Sequence, residues 1–163
     1  MKEILQQYAA YNIWATKILV DRMNKLPEEK LTQEVASSFP SLYKTMQHMW
    51  LAEEAWWQRL KLVENIVLQS EQFTGSFAAL YSQLAKQSAL WKEWVDGASD
   101  NQLTHVFAYV RNKEQHKMVV HDMLLHVFNH ATYHRGQLVT MLRELGEDKL
   151  PSTDFSTYCR QRK

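Results

Sequence analysis

The stretch from Met118 to Gly146, MVVHDMLLHVFNHATYHRGQLVTMLRELG, carries the most regular apolar pattern in the chain. Its apolar side chains recur every three or four residues, which is the spacing of one face of an α-helix. Gly146 follows the last of them and is a typical residue at which a helix ends. The pattern predicts a helix over about residues 118–145, with an inward stripe formed by Val120, Met123, Leu124, Val127, Leu138, Met141, Leu142 and Leu145.

Three segments nearer the N-terminus show the same helical spacing. They cover about residues 2–25, 41–61 and 75–97, and Ser41, directly after Pro40, is the candidate N-cap of the second. The chain has only four glycines and three prolines, so it offers few points at which a helix must end. Four amphipathic helices with longer connections predict an all-α fold, a four-helix bundle.

Two segments depart from the helical pattern. Residues 98–117 contain THVFAYVRN, which is rich in strand-forming residues, and the polar residues after it can turn the chain back. We therefore expect a loop or a short hairpin between the third and fourth helices. The last 17 residues show no pattern and are expected to form a packed but irregular tail.

The composition is that of an ordinary globular protein. The 163 residues, 45% hydrophobic and 23% charged, predict one domain over residues 1–163. A net charge of +1 provides no strong field for nucleic acid or anionic lipid. No apolar run approaches the roughly 18 residues of a membrane span, and the N-terminal sequence lacks the apolar region of a signal peptide. With a single cysteine, Cys159, the sequence favours a cytoplasmic location.

Three histidines in the fourth helix, His126, His130 and His134, follow one another at four-residue spacing. At about 100° per residue, and with Val127 at zero, His134 falls at about −20° and His130 at about −60°. Both lie inside the apolar stripe, one turn apart, so they face the interior and are able to share one metal ion. His126 falls at about −100°, at the edge of the stripe, which argues against its ligating alongside the other two.

The second predicted helix supplies a candidate for a third ligand. His48 borders its apolar face, and Ala52 and Ala55 lie beside it on successive turns. Such small side chains leave room for a pocket in front of a ligand, as an open metal site needs. The alternative is that these histidines are hydrogen-bonded core residues without a metal. The remaining histidines are expected to be exposed to solvent: His105, His116 and His121.

Acidic residues and sequence motifs suggest no second site. Glu53 and Glu54 lie in the second helix, but the Glu-x-x-His motif of di-iron bundles does not occur in the sequence. We interpret Glu53 as a salt-bridge partner for Arg135 and Glu54 as a residue of the solvated face. The sequence also contains no P-loop and no G-x-G-x-x-G motif.

The block HVFNHATYHRGQLVTMLRELG, residues 126–146, resembles the signature fourth helix of the DinB/YfiT-like family. TMQHMWLAEEAWWQRL, YAAYNIWATKILVDRM and STDFSTY are similar to that family's second helix, first helix and C-terminal end, and the resemblance is weakest over residues 62–117. It implies a four-helix bundle, commonly dimeric, in which His48, His130 and His134 hold a divalent metal ion, zinc or nickel. Some members of the family are transferases of low-molecular-weight thiols such as bacillithiol, mycothiol or glutathione.

The surroundings of the three histidines also carry expectations. Metal-bound histidines usually donate their second N–H to a nearby acceptor. The candidates for this role, or for lining the pocket, are His126, Tyr133, Arg135, Gln137 and Asn12, which interrupts the apolar face of the first helix. On the second helix, Trp50 and Trp57 project away from the core stripe, which predicts an exposed interface and a homodimer.

The leading functional hypothesis is a metal-dependent enzyme that transfers a low-molecular-weight thiol to a small-molecule substrate. Three histidine ligands leave a coordination position open, and the chain has no cysteine near them that could act as its own nucleophile. A metal-dependent hydrolase and a non-catalytic metal-binding bundle are the alternatives. A fourth ligand such as His126 would favour the non-catalytic bundle.

Overall fold

A computed structural model describes residues 1–111 and 113–162 of the chain. Over these residues the chain forms seven α-helices and one two-stranded antiparallel sheet. The four long helices are α1 (Lys2–Met23), α3 (Leu42–Leu60), α4 (Phe77–Gly97) and α6 (Val120–Glu144). Three short helices lie between and after them: α2 (Glu28–Thr32), α5 (Asp100–Thr104) and α7 (Phe155–Gln161). The predicted helix-dominated fold is confirmed, and all four long helices lie where the apolar periodicity placed them.

Serine residues begin three of the helices. The side chains of Ser41, Ser76 and Ser99 accept hydrogen bonds from backbone N–H groups in the first turns of α3, α4 and α5. Each bond satisfies a donor that has no partner within the helix, and a cap of this kind is worth about 1 kcal/mol. Ser41 is therefore the N-cap that the sequence predicts.

The four long helices enclose two apolar clusters and a polar layer between them. α1 and α3 each pack against both α4 and α6. One cluster includes Met46 and Leu142, and the other includes Trp91 and Met123. Every member of the predicted α6 stripe is buried, and a fully buried side chain of this size contributes about 1.5–3 kcal/mol. The buried polar residues between the clusters, called the polar layer below, are Asn12, Thr16, Glu53, Ser88 and Arg135.

A β-hairpin leads directly into α6. Strands β1 (Val106–Arg111) and β2 (Glu114–Val119) pair in antiparallel register from Val106 opposite Val119 to Arg111 opposite Glu114. The hairpin is one of the two forms expected for residues 98–117, although the segment also contains α5. Phe107 of β1 is buried in the same cluster as Trp91, so the hairpin is packed onto the helices.

The C-terminal segment is partly helical, which corrects the expectation of an irregular tail. α7 packs against α1. Tyr158 is buried, and the centre of its ring lies 5.7 Å from that of the Tyr11 ring. The Tyr11 hydroxyl also donates to the carbonyl of Thr153 over 2.7 Å. Seven residues make fewer than two helical turns, too few to show a periodic pattern in the sequence.

The tryptophan surface expected to form a dimer interface is not present. Trp50 is only 4% exposed and packs edge-on against Phe73, which lies in the connection between α3 and α4. Trp57 is half-buried and packs at a right angle against Trp91. The prediction of exposed tryptophans was wrong because Phe73 of the connection covers Trp50 and Trp91 of α4 packs against Trp57.

Within residues 1–111 and 113–162, no helix combines the length and the hydropathy needed to cross a lipid bilayer.

Candidate metal centre

Three histidines from two long helices converge on one point. His48 lies on α3, and His130 and His134 lie one turn apart on α6. The Nε2 atom of His130 is 3.4 Å from that of His48 and 3.0 Å from that of His134. A ligand atom from each of the three lies within 4.8 Å of the others. The structure therefore brings together the three residues that the sequence singled out.

This spacing fits the coordination shell of one small divalent ion. Two nitrogen ligands at zinc–nitrogen distances of about 2.0–2.1 Å in a tetrahedral site lie about 3.3 Å from each other. The two Nε2 separations, 3.4 and 3.0 Å, lie on either side of that value. Imidazole nitrogen suits zinc, nickel, copper and iron rather than magnesium or calcium.

The histidines are held in the neutral form that a ligand must have. Burial, reinforced by the charge of neighbouring imidazoles, lowers the pKa of His48 and of His130 to about 4. Burial also lowers the pKa of His134, which a hydrogen bond from its ring partly offsets. Neutral imidazoles present a free lone pair at neutral pH, so no proton has to leave before a metal ion binds.

Gln137 determines which nitrogen of His134 faces the cluster. Its side-chain oxygen accepts a hydrogen bond from Nδ1 of His134 over 2.7 Å. Its amide nitrogen donates to the hydroxyls of Ser38 and Tyr133, at 2.9 and 3.2 Å. In this orientation of the amide, the oxygen points to His134 and accepts the proton of Nδ1, which leaves the Nε2 lone pair facing the other histidines. Gln137 thus has the contact expected of a residue that orients a ligand, and Tyr133 acts on it from an exposed position.

Phe39 is a residue of this site that the sequence analysis missed. Its ring stacks on His48, with centroids 4.0 Å apart and an interplanar angle of 22°, and lies 5.6 Å from the ring of His134. Phe39 precedes Pro40, and a residue in that position is restricted to extended conformations. This restriction was the only signal in the sequence, since residues in a connection have no helical period that would indicate burial.

A cavity of about 230 Å³ opens beside the cluster. His48 and His130 form part of its wall, and Ala52 and Ala55 line it as their small size predicts. The rest of the wall is formed by Leu51, Trp56, Arg59, Leu68, Arg111 and His126. A ligand in this cavity would therefore lie next to the histidine nitrogens.

The whole described chain matches one protein family. A sequence model of the DinB family matches residues 1–162. The chain belongs to the DinB family. The chain is 29% identical to Protein DinB of Bacillus subtilis strain 168 over an alignment 170 residues long. The alignment covers 91% of this chain and 89% of that relative.

Solved structures of DinB-like proteins share the fold. One from Bacillus cereus ATCC 10987 has a TM-score of 0.72 at 21% identity, over 92% of this chain and 95% of that one. Another from Bacillus subtilis has a TM-score of 0.67 at 14% identity, over 91% and 98% of the two chains. The predicted family resemblance is thus confirmed in both sequence and fold.

The remaining histidines of this DinB-family chain lie outside the cluster. His126 is exposed on the cavity wall, with its ring 5.9 Å from that of His130 and 5.1 Å from that of Trp56. His105 is exposed as expected. His116 and His121 were also expected to be exposed, but they are only partly so. Their side chains are 41% and 25% exposed, respectively.

Asn12 and Arg135 belong to the polar layer and do not line the cavity. Arg135 donates to the Asn12 oxygen over 2.5 Å, and the Asn12 amide donates to Glu53 over 3.0 Å. Ser88 donates to the other Glu53 oxygen over 2.8 Å. The expected direct salt bridge between Glu53 and Arg135 was wrong, because Asn12 lies between them. Burial raises the pKa of Glu53 to about 7, against the opposing effects of these hydrogen bonds and of the Arg135 charge.

Glu54 is buried, which contradicts its placement on a solvated face. Its carboxylate accepts hydrogen bonds from the backbone N–H groups of Gln69 and Ser70, at 3.0 and 3.1 Å, and from the Ser70 hydroxyl at 2.7 Å. These three bonds fix the connection between α3 and α4 to the side of α3. They also position the neighbouring Leu68 at the cavity wall.

Proposed function

We propose that this DinB-family protein is a metal-dependent enzyme that transfers a low-molecular-weight thiol to a small electrophilic substrate. His48, His130 and His134 hold one divalent ion, zinc or nickel. The observation that carries the proposal is the convergence of three neutral imidazole nitrogens, 3.0 and 3.4 Å apart, beside an open cavity. A site that serves only to stabilise a fold is normally closed by a fourth protein ligand, whereas a catalytic site keeps one position open.

The residues around the cluster have defined tasks in such a reaction. When bound, a divalent ion lowers the pKa of a thiol or water molecule that reaches it. Gln137 keeps the His134 lone pair directed at the ion. Phe39 packs over His48 and limits the approach of water from that side. Ala52 and Ala55 leave the space into which a substrate fits.

The nucleophilic sulfur has to arrive with the substrate. The only cysteine of the chain, Cys159, is exposed on α7, which packs on α1. Cys159 is not among the residues that line the cavity. Together with the family resemblance, this location favours a small thiol as co-substrate over a thiol of the protein itself.

The same three histidines would also serve a hydrolase, and an assay separates the two. Zinc-loaded protein is incubated with a panel of small thiols and the electrophile monochlorobimane. The expected result is conjugate formation that needs both metal and thiol and is lost in His134→Ala. Cleavage of ester or amide substrates without any acceleration by thiols would establish the hydrolase instead.

The metal assignment has its own test. Protein purified without a histidine tag is analysed for metal by mass spectrometry. We expect one zinc or nickel ion per chain in the unsubstituted protein and in His105→Ala, whose substituted residue is exposed and outside the cluster. His130→Ala is expected to lose most of the metal, and equal metal content in the two variants would place the ion elsewhere.

We further propose that the four long helices form the four-helix bundle of the family, that residues 1–163 are one domain, and that two chains pair as a homodimer. The dimer rests on the family resemblance alone, since Trp50 is buried. Light scattering at micromolar concentration is expected to give the mass of two chains, and the mass of one chain would overturn this assembly.

A further inference from the structure

Two arginines lie on the cavity wall beside the histidine cluster. Arg59 belongs to the last turn of α3, and Arg111 is the last residue of β1. Both line the cavity that His48 and His130 also line. The remainder of that wall is mostly apolar, and it includes Leu51, Ala52, Ala55 and Leu68. The cavity therefore has one cationic part and one apolar part.

The Arg59 guanidinium is held in place before any ligand binds. It lies 4.8 Å from the centre of the Trp56 ring and 5.8 Å from that of Tyr109, within the range of cation–π contacts. Its Nε atom is buried and has no hydrogen-bond partner among the residues that the structure describes. Stacking against two rings restricts the rotation of the side chain, so binding an anion costs little additional conformational entropy.

The two charges have no counter-ion within the described parts of the chain. No carboxylate of residues 1–111 and 113–162 lies within 4.0 Å of the Arg59 or Arg111 guanidinium. Glu64 lines the adjoining surface groove together with Arg59, but it forms no salt bridge with either arginine. The pKa of Arg59 is lowered by burial and then by the charge of Arg111. Two unneutralised guanidinium groups that repel each other at a partly buried site are stabilised when an anion joins them.

We propose that Arg59 and Arg111 form an anion subsite that binds a carboxylate group of the small thiol, while the reacting end of that thiol, its sulfur, reaches the histidine cluster. The assignment rests on the proposed function for the identity of the reacting end. Arginine pairs with carboxylate through two parallel hydrogen bonds, which fix orientation as well as position. A cavity of about 230 Å³ is smaller than the roughly 300–1,000 Å³ of drug-sized ligand sites, so the part of the substrate that it holds is a short acid.

A matched pair of probes tests the subsite. Mercaptopropionate carries a thiol and a carboxylate, and mercaptopropionamide has the same shape without the charge. Binding of both is measured by titration calorimetry at neutral pH, on zinc-loaded and on metal-free protein. The variants are Arg59→Gln, Arg59→Lys and Arg111→Gln. Arg143→Gln removes the same charge from an exposed position in the last turn of α6 and serves as the control.

The expected result is that Arg59→Gln and Arg111→Gln each weaken binding of the acid about tenfold, the loss of one charge-assisted contact. Binding of the amide stays unchanged in every variant. Arg59→Lys retains part of the affinity because it keeps the charge but not the planar fork. Arg143→Gln behaves as the unsubstituted protein, and added salt weakens binding of the acid but not of the amide.

Three outcomes would overturn the subsite: equal affinity for acid and amide, an equal loss of both probes in the arginine variants, or no binding of the acid at millimolar concentration. Arg111 is exposed, so its variant remains informative if Arg59→Gln fails to fold. Metal-free protein separates this inference from the proposed function. Arginine-dependent binding of the acid by a protein that takes up no zinc would support the subsite while contradicting the metal site. Zinc uptake without preference for the acid would do the reverse.

Discussion

At the level of single residues, Gln137 is the clearest test of how the cluster is prepared for a metal ion. Replacing it with leucine removes the oxygen that accepts the His134 Nδ1 proton over 2.7 Å. The His134 ring then loses both its fixed tautomer and its orientation. Substituting a residue that hydrogen-bonds to a metal ligand typically lowers metal affinity by roughly 10- to 100-fold. We expect a loss of zinc affinity in that range for Gln137→Leu, measured by competition with a chelating dye.

Tyr133→Phe is the matched control for that experiment. The Tyr133 hydroxyl accepts one hydrogen bond from the Gln137 amide, and Ser38 accepts another. Gln137 stays oriented by Ser38 when the Tyr133 hydroxyl is removed, so zinc affinity should change much less. An unaltered affinity in Gln137→Leu would show that packing, including the Phe39 ring, orients His134 without the amide.

The lowered pKa values of His48 and His130 predict how the metal-free protein responds to acid. Both lie near 4 in the fold, below the ordinary value of 6.5. The folded state therefore binds fewer protons than the unfolded state between these values. The stability due to the neutral rings is complete above pH 6.5 and is lost as the pH falls toward 4.

Urea denaturation of metal-free protein at several pH values measures this dependence. His130→Asn removes one of the titrating groups, so the difference between the two proteins isolates its effect. The comparison is needed because Glu53 has the opposite effect on stability in part of the same pH range. Its pKa is raised from 4.5 to about 7, so Glu53 makes the fold less stable as the pH rises from 4.5 to 7. An identical pH dependence of the two proteins would contradict the lowered pKa of His130.

At the level of elements, Glu54 determines how the connection between α3 and α4 is attached. Its substitution by alanine leaves the buried Ser70 N–H and hydroxyl without their acceptor. An unsatisfied buried polar group costs about 1–3 kcal/mol. We expect Glu54→Ala to lower the free energy of unfolding by about 2–3 kcal/mol in urea denaturation, and to speed hydrogen exchange at Gln69 and Ser70.

Glu93→Ala is the control, since Glu93 is exposed on α4 and the substitution is a change of the same kind. Surface substitutions of this sort usually change stability by less than about 0.5 kcal/mol. Equal stability of the two variants would mean that the connection packs on α3 without its carboxylate anchor.

The helical period explains which features of the elements the sequence predicts. A face that packs on a neighbouring helix repeats every three to four residues, and the buried stripe of α6 follows that rule from Val120 to Leu145. The same rule fails for Trp50 and Glu54, which lie outside the apolar stripe of α3 and are nevertheless buried. They are covered by a connection, and the side chains of a connection, such as Phe73, follow no period.

At the level of the whole molecule, the site depends on how distant segments pack. His130 and His134 could be paired from their spacing within one helix, but His48 is 82 residues from His130, and its distance is set by the packing of α3 against α6. Sequence periodicity makes His48 a candidate but does not provide that distance, and only the family resemblance implied that His48 joins the other two histidines. Arg59 and Arg111 reach the cavity from a helix end and a hairpin, positions at which no periodic pattern marks a residue as functional.

Because of this packing, a metal ion held by His48, His130 and His134 would crosslink α3 to α6 and stabilise the fold. A ligand that binds only the folded state stabilises it by about 4.1 kcal/mol at a thousandfold excess over its Kd, and for a chain of this size each kcal/mol raises Tm by about 2–4 °C. Zinc should therefore raise the Tm of metal-free protein by roughly 8–16 °C in calorimetry. His105→Ala should keep the full shift, and His130→Ala should lose nearly all of it. An undiminished shift in His130→Ala would mean that zinc stabilises the fold from a site other than the three converging histidines.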